Sequence, residues 1–194
     1  MRLTAEIIEN SASFINPLGK FQIDLRGNHI SRIENLSITK DKYEIIDLSD
    51  NEITILSNLP ELSKLEELYI SNNLITSIHS DLIDKLPNLK ILNLQNNRIS
   101  KITDLAGLSN LPSLTDLVIL NNSITKIPNY RNQILEILPQ IKILDYQFAD
   151  NNKNTIKRTC FGSICVNELK LKLEESSSLD DIKKLENSIF PVFK

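Results

Sequence analysis

An asparagine recurs along this chain at positions 28, 51, 73, 97 and 122, and its surroundings recur with it. Five residues before it, three before, two after and five after, the chain places Leu or Ile every time. Around Asn28 these are Ile23, Leu25, Ile30 and Ile33; around Asn51, Ile46, Leu48, Ile53 and Leu56; around Asn73, Leu68, Ile70, Ile75 and Ile78. Around Asn97 they are Leu92, Leu94, Ile99 and Ile102, and around Asn122, Leu117, Ile119, Ile124 and Ile127. The asparagines are 23, 22, 24 and 25 residues apart. A unit of this length cannot bury its own apolar face, so the period demands that successive units stack into a continuous core.

The pattern, L-x-x-L-x-L-x-x-N-x-L, is that of the leucine-rich repeat. It predicts an α/β fold: a right-handed solenoid with a parallel concave sheet, an N-terminal helical cap and a C-terminal repeat cap. In each unit the stretch from six to two residues before the asparagine reads as a short strand with alternate side chains inward. An amide in step with the core residues is costly unless its hydrogen bonds are met. With two donors and an acceptor it can satisfy the backbone of the turn after each strand, so Asn28, Asn51, Asn73, Asn97 and Asn122 read as a structural ladder. Leu-Pro at 59–60, 86–87, 111–112 and 138–139 ends each convex segment before the next strand.

Residues 1–148 form the repeat domain of five units plus caps. "LTAEIIENSASFINP" reads as an amphipathic helix, with Thr4 as N-cap and Ile7, Ile8 and Phe14 covering the first unit. At the other end a helix through Ile134, Leu135 and Leu138 leads into a last strand, Ile141 to Tyr146, without the asparagine step. Residues 149–165 read as a polar linker, and 166–194 as a helical tail that docks on the repeats or binds another protein.

A net charge of -3 and a pI near 5.5 give no global attraction to nucleic acid or an acidic membrane. Cys160 and Cys165 are too few for a metal site with His29 and His79 far away; they read as two reduced thiols, with a lone disulfide the other option. No apolar run suits a signal peptide or membrane span, so a soluble intracellular protein is expected. No catalytic or cofactor motif is present, which points to a non-enzymatic chain without cofactor or metal.

Function then falls to the outward side chains of the strands. They carry the acids Asp24, Asp47, Glu67, Asp116 and Asp145, one base, Arg26, the aromatic Tyr69, and an apolar patch of Ile91, Val118 and Leu120 beside Asn93 and Gln95. Such a groove suits a helix or compact domain with basic and apolar groups, and its acids would repel phosphates. Past the cap, Lys153, Lys157 and Arg158 form a local cluster without an acid, a candidate for RNA phosphates on charge and placement alone.

Finer features carry a resemblance. "LTAEIIENSASFINPLGKFQIDLRGNHISRIENL", the later "IIDLSDNEI" and the cap "NYRNQILEILPQIKILDYQ" resemble the A-prime subunit family of the U2 small nuclear ribonucleoprotein over residues 1–148. The tail is similar to the C-terminal helices of some fungal members. The resemblance implies a nuclear, non-enzymatic splicing subunit. Its concave face would hold a helix of the RNA-recognition-motif protein B-double-prime, with Asp24, Arg26, Asp47, Tyr69, Asn93 and Val118 in contact. The heterodimer would bind a U2 RNA stem-loop, mainly through that partner, meet other spliceosomal proteins and support branch-site recognition. Similar repeats also serve as regulatory subunits or adaptors of phosphatases and cytoskeletal complexes, which is the alternative.

Overall fold

The computed structural model describes residues 1–79 and 82–149, with two short strands at Cys160–Phe161 and Ile164–Cys165. The chain starts with helix α1 (Ala5–Asn10), strand β1 (Ser13–Ile15) and strand β2 (Phe21–Asp24). Strands β3 (Ile45–Asp47), β5 (Glu67–Tyr69), β7 (Ile91–Asn93) and β8 (Asp116–Val118) follow at the repeat period, and β9 (Ile143–Leu144) and β10 (Gln147–Phe148) close the series. They form one eight-stranded sheet in the order β1-β2-β3-β5-β7-β8-β9-β10. From β2 to β9 every pairing is parallel; β1 and β10 reverse direction at the two ends.

Every one of the five strands six residues before an asparagine includes the expected start, but each ends four residues before it rather than two. The reason lies in the residue just ahead of the asparagine. Gly27, Asp50, Asn72, Asn96 and Asn121 all adopt left-handed backbone, with φ between 54° and 67°. Gly, Asn and Asp bear that conformation most readily. The chain leaves the strand to reach this bend, and the next asparagine then points into the core.

The ladder is built as the pattern requires. Asn97 Nδ2 donates to the carbonyls of Ile70 (2.9 Å), Leu94 (3.0 Å) and Gln95 (3.2 Å), and its Oδ1 accepts the N–H of Ile75 (2.9 Å). Each rung thus fastens its own turn and the turn of the unit before it. Asn51, Asn73 and Asn122 make the corresponding bonds and are at most 6 % exposed. Asn28, with no unit before it, is half-buried and its amide donates only to the Arg26 carbonyl.

Beneath the sheet the repeat leucines and isoleucines form one continuous core from Leu3 to Leu144, including Leu59, Leu86, Leu111 and Leu138 of the Leu-Pro steps. The convex side is made of short pieces: the paired strands β4 (Ile55–Leu56) and β6 (Ser77–Ile78), helix α2 (Leu82–Lys85), and 3-10 turns at Leu36–Thr39, Ile102–Asn110 and Ser123–Lys126. Among the described residues no helix is long and apolar enough to cross a membrane.

Both caps depart from the sequence expectation. Thr4 does cap α1, accepting the Ile7 N–H at 3.3 Å, and Ile8 is buried. The helix stops at Asn10, however, and Phe14 lies in β1, 44 % exposed, so it does not cover the first unit. Ser13–Ile15 pairs with β2 instead, because β-branched and aromatic residues favour the sheet edge over helix continuation. At the far end α3 (Tyr130–Ile137) buries Ile134, as expected. The last strand is cut short at Leu144: Asp145 and Tyr146 both have positive φ and turn the chain into β10. Of the segment 149–165, the strands β11 (Cys160–Phe161) and β12 (Ile164–Cys165) pair antiparallel. The expected tail, 166–194, lies outside the described residues.

Candidate protein-binding face

Because side chains alternate across a strand, the residues six and four before each asparagine lie opposite the core row of Ile23, Ile46, Leu68, Leu92 and Leu117. In-register pairing lines them up as two rows. One runs Gln22, Ile45, Glu67, Ile91, Asp116, Ile143; the other runs Asp24, Asp47, Tyr69, Asn93, Val118. Gln95 and Leu120, both half-buried, continue from Asn93 and Val118 beyond the strands.

The first part of this face is dense with internal pairing. Arg26 forks onto Asp24, donating from Nε to Oδ1 (3.0 Å) and from Nη2 to Oδ2 (2.7 Å), and its Nε lies 3.6 Å from Asp47. The fork holds the Asp24 carboxyl below its usual range against the cost of burial, while burial pushes Asp47 up despite its bonds to Ser49. Asp24, Asp47 and Asn93 each accept the N–H two residues on, which fixes the chain as it leaves the strand. Ser71 donates to the Ser49 hydroxyl at 2.9 Å. Arg26, Asp47, Ser49, Tyr69, Ser71 and Asn93 take part in lining a shallow hollow of about 280 Å³.

Glu67, expected on the open groove, is only 2 % exposed. Lys20 Nζ donates to its Oε1 at 2.6 Å and the Tyr69 hydroxyl to its Oε2 at 2.6 Å. Lys20 also meets Glu66 at 2.8 Å, and Glu66 in turn meets Lys90. Burial pulls the Lys20 ammonium down, but Glu66 and Glu67 outweigh it and the net shift is upward. Lys20 is therefore a second base on this face, and no repeat offset marked it.

The second part differs. Ile91, Asp116 and Ile143 stand side by side, with Val118 buried at 6 %. Asp145 does not belong to the groove: it is 5 % exposed, accepts the Ile119 N–H (2.7 Å) and the Tyr130 hydroxyl (3.1 Å), and ties the cap helix to the last unit. Arg131 completes the tie by donating to the Leu144 carbonyl at 2.7 Å. Burial pushes the Asp145 carboxyl up. The left-handed φ at Asp145 takes it out of the alternation that would have pointed it outward.

Among the described residues no group of three or more His, Cys, Asp or Glu could hold a metal ion. His29 sits at the exposed turn edge against Glu52. Lys153, Lys157 and Arg158 lie outside the described residues.

A leucine-rich repeat family model matches residues 1–172. The U2 small nuclear ribonucleoprotein A′ of Neurospora crassa is 40 % identical over 163 residues, covering 84 % of this chain and 64 % of its own length. The protein of the same name from Schizosaccharomyces pombe is 38 % identical over 164 residues, covering 84 % of this chain and 69 % of its own. A chain of the solved Drosophila melanogaster SNF/U2A′ complex superposes with a TM-score of 0.76 at 31 % identity, covering 96 % of this chain and 99 % of that one.

Proposed function

Since the chain belongs to the U2 small nuclear ribonucleoprotein A′ family, we propose that it is a non-catalytic nuclear subunit of that particle in pre-mRNA splicing. Its concave face takes a helix of the RNA-recognition-motif protein B-double-prime. The heterodimer binds the U2 RNA stem-loop, chiefly through that partner, and supports branch-site recognition alongside other spliceosomal proteins. The observation that carries this reading is the superposition, over nearly the whole chain, on a protein from a complex with SNF.

The chemistry of the face agrees. It offers apolar side chains at Val118, Leu120 and Ile91, a half-buried Tyr69, and polar anchors at Asn93 and Gln95, the mixture that suits a helix in a groove. Asp24, Arg26 and Asp47 present a fixed charge pattern that orients a partner more than it attracts one. Phosphate contacts fall to Lys153, Lys157 and Arg158, in a stretch of sequence, 151–159, that contains no acid.

Affinity purification of the tagged chain from its own cell extract tests the reading. Recovery of an RNA-recognition-motif protein together with U2 RNA is expected. Recovery of a phosphatase or tubulin with neither of these would replace it with the adaptor alternative. The RNA role of the basic cluster has its own test. Replacing Lys153, Lys157 and Arg158 by Ala should make RNA binding by the heterodimer less salt-dependent, by a slope of about 2 to 3 in log–log form. An unchanged slope removes those residues from the interface.

A further inference from the structure

Four of the five outward acids expected on this face are already answered from within the chain. Asp24 holds Arg26, Asp47 has Arg26 and the Ser49 N–H, Glu67 is closed by Lys20 and Tyr69, and Asp145 serves the cap. Asp116 is different. Its Oδ2 accepts the Thr115 hydroxyl at 2.5 Å, and among the described residues no ion pair reaches it. Its register neighbours are Ile91 on one side and Ile143 on the other, and Val118 lies two residues along on the same face.

A half-buried carboxylate between two isoleucines has given up hydration without gaining a counter-charge. Burial accordingly pushes its carboxyl upward, Glu67 adds to the push, and Thr115 and Lys142 offset it only in part. Lys142 is itself exposed and makes no ion pair with it. Nothing in the repeat pattern requires an acid here: the equivalent residues in neighbouring strands are Ile91 and Ile143. A single carboxylate is a poor cage for a metal ion, which needs several ligands. It is well suited to one guanidinium or ammonium group arriving on an otherwise apolar surface.

We propose that Asp116 receives a basic side chain of the partner's helix, whose apolar face lies on Ile91, Val118, Leu120 and Ile143. The assignment rests on the concave face being the protein-binding site, and it makes Asp116 the contact that sets where along the groove a partner helix stops. The occupant it selects is an amphipathic helix with one Arg or Lys set among apolar residues. Closing that pair away from water makes it sensitive to loss of either member.

The test uses the full chain and the RNA-recognition-motif partner encoded in the same genome, with calorimetric titration at two salt concentrations and thermal unfolding of the free chain. Asp116→Asn keeps the shape and can still accept the Thr115 hydroxyl, so Tm should be no lower than that of the parent. Partner affinity should fall by about fivefold or more and its salt dependence should flatten. A smaller loss of affinity overturns the role of Asp116 while leaving the interface in place. Weaker binding with a lower Tm marks a structural role and overturns it too. If the parent chain itself does not bind that partner, the reading of the whole face fails.

Discussion

Strands β2, β3 and β5 carry their charges in closed sets: Asp24 with Arg26, and Glu67 with Lys20 and the Tyr69 hydroxyl. Strands β7, β8 and β9 carry isoleucines, a buried valine and the single unanswered acid Asp116. Both halves stand on the same ladder and the same leucine core, so the backbone does not distinguish them. The difference shows that the formal charge of a surface is not the charge it offers. Three carboxylates in the first half, Asp24, Asp47 and Glu67, share the two bases Arg26 and Lys20, while the one carboxylate in the second half has no base of its own.

The ladder is the shared element, and breaking it should produce the largest effect. Asn97→Leu strands the Ile75 N–H and removes one of the two donors at each of the carbonyls of Ile70, Leu94 and Gln95, which keep the Asn73 amide, the Asn122 amide and the Asn72 N–H. A loss of about 3 kcal/mol is expected in urea unfolding, because the buried unmet N–H costs about 1–3 kcal/mol and each of the other lost bonds about 0.5–1.5 kcal/mol. The folded fraction should bind its partner as before.

The next effect belongs to the first half alone. Lys20→Met leaves Glu67 buried without a cation and should cost about 2–3 kcal/mol in the same measurement. The parent's advantage over this variant has a defined pH window. A lysine whose folded-state value is raised stabilises the fold fully below its ordinary value of about 10.4 and loses that as pH rises through the folded value. An advantage that persists unchanged in strong alkali would show that Lys20 acts by packing.

Asp24→Asn with Asp47→Asn sharpens the contrast from the binding side. These acids already serve Arg26, so partner affinity should fall by less than about threefold, and stability by about 1 kcal/mol or less, since the pair is partly exposed. A larger loss of affinity than that of Asp116→Asn would reverse the comparison.

The smallest effect is in acid. Asp24 and Glu66 sit below their ordinary range, so the stability they add is present above about pH 4 and drains away as pH falls through their folded values. Asp116 runs the other way: its raised value burdens the fold above that value and ceases to do so once it is protonated. The gain of Asp116→Asn over the parent, about 1 kcal/mol or less, should therefore be greatest at neutral pH and vanish near pH 4.

The sequence reveals whatever is periodic. The strands, the ladder and the Leu-Pro steps repeat, and a repeat averages out local ambiguity. A finer periodic signal is the Gly, Asp or Asn before every ladder asparagine, which marks the left-handed bend that ends each strand early. The ends were less legible because they break the period. Phe14 fits a helical face as well as a strand, and Asp145 looks outward until a turn at its own residue redirects it. The face itself was legible only as a set of residues. Which acids are free depends on Lys20, brought from the loop before β2 to a residue 47 positions away.

The antiparallel strands β1 and β10 also fix a length. They stop the parallel series at six strands, about 4.8 Å apart, so the trough from β2 to β9 is about 24 Å across. That is the length of about 16 residues of helix. If the proposed helix lies along it, the trough sets a gauge: a segment of four to five turns would fill it, a shorter one would leave part of the surface wet, and a longer one would overhang.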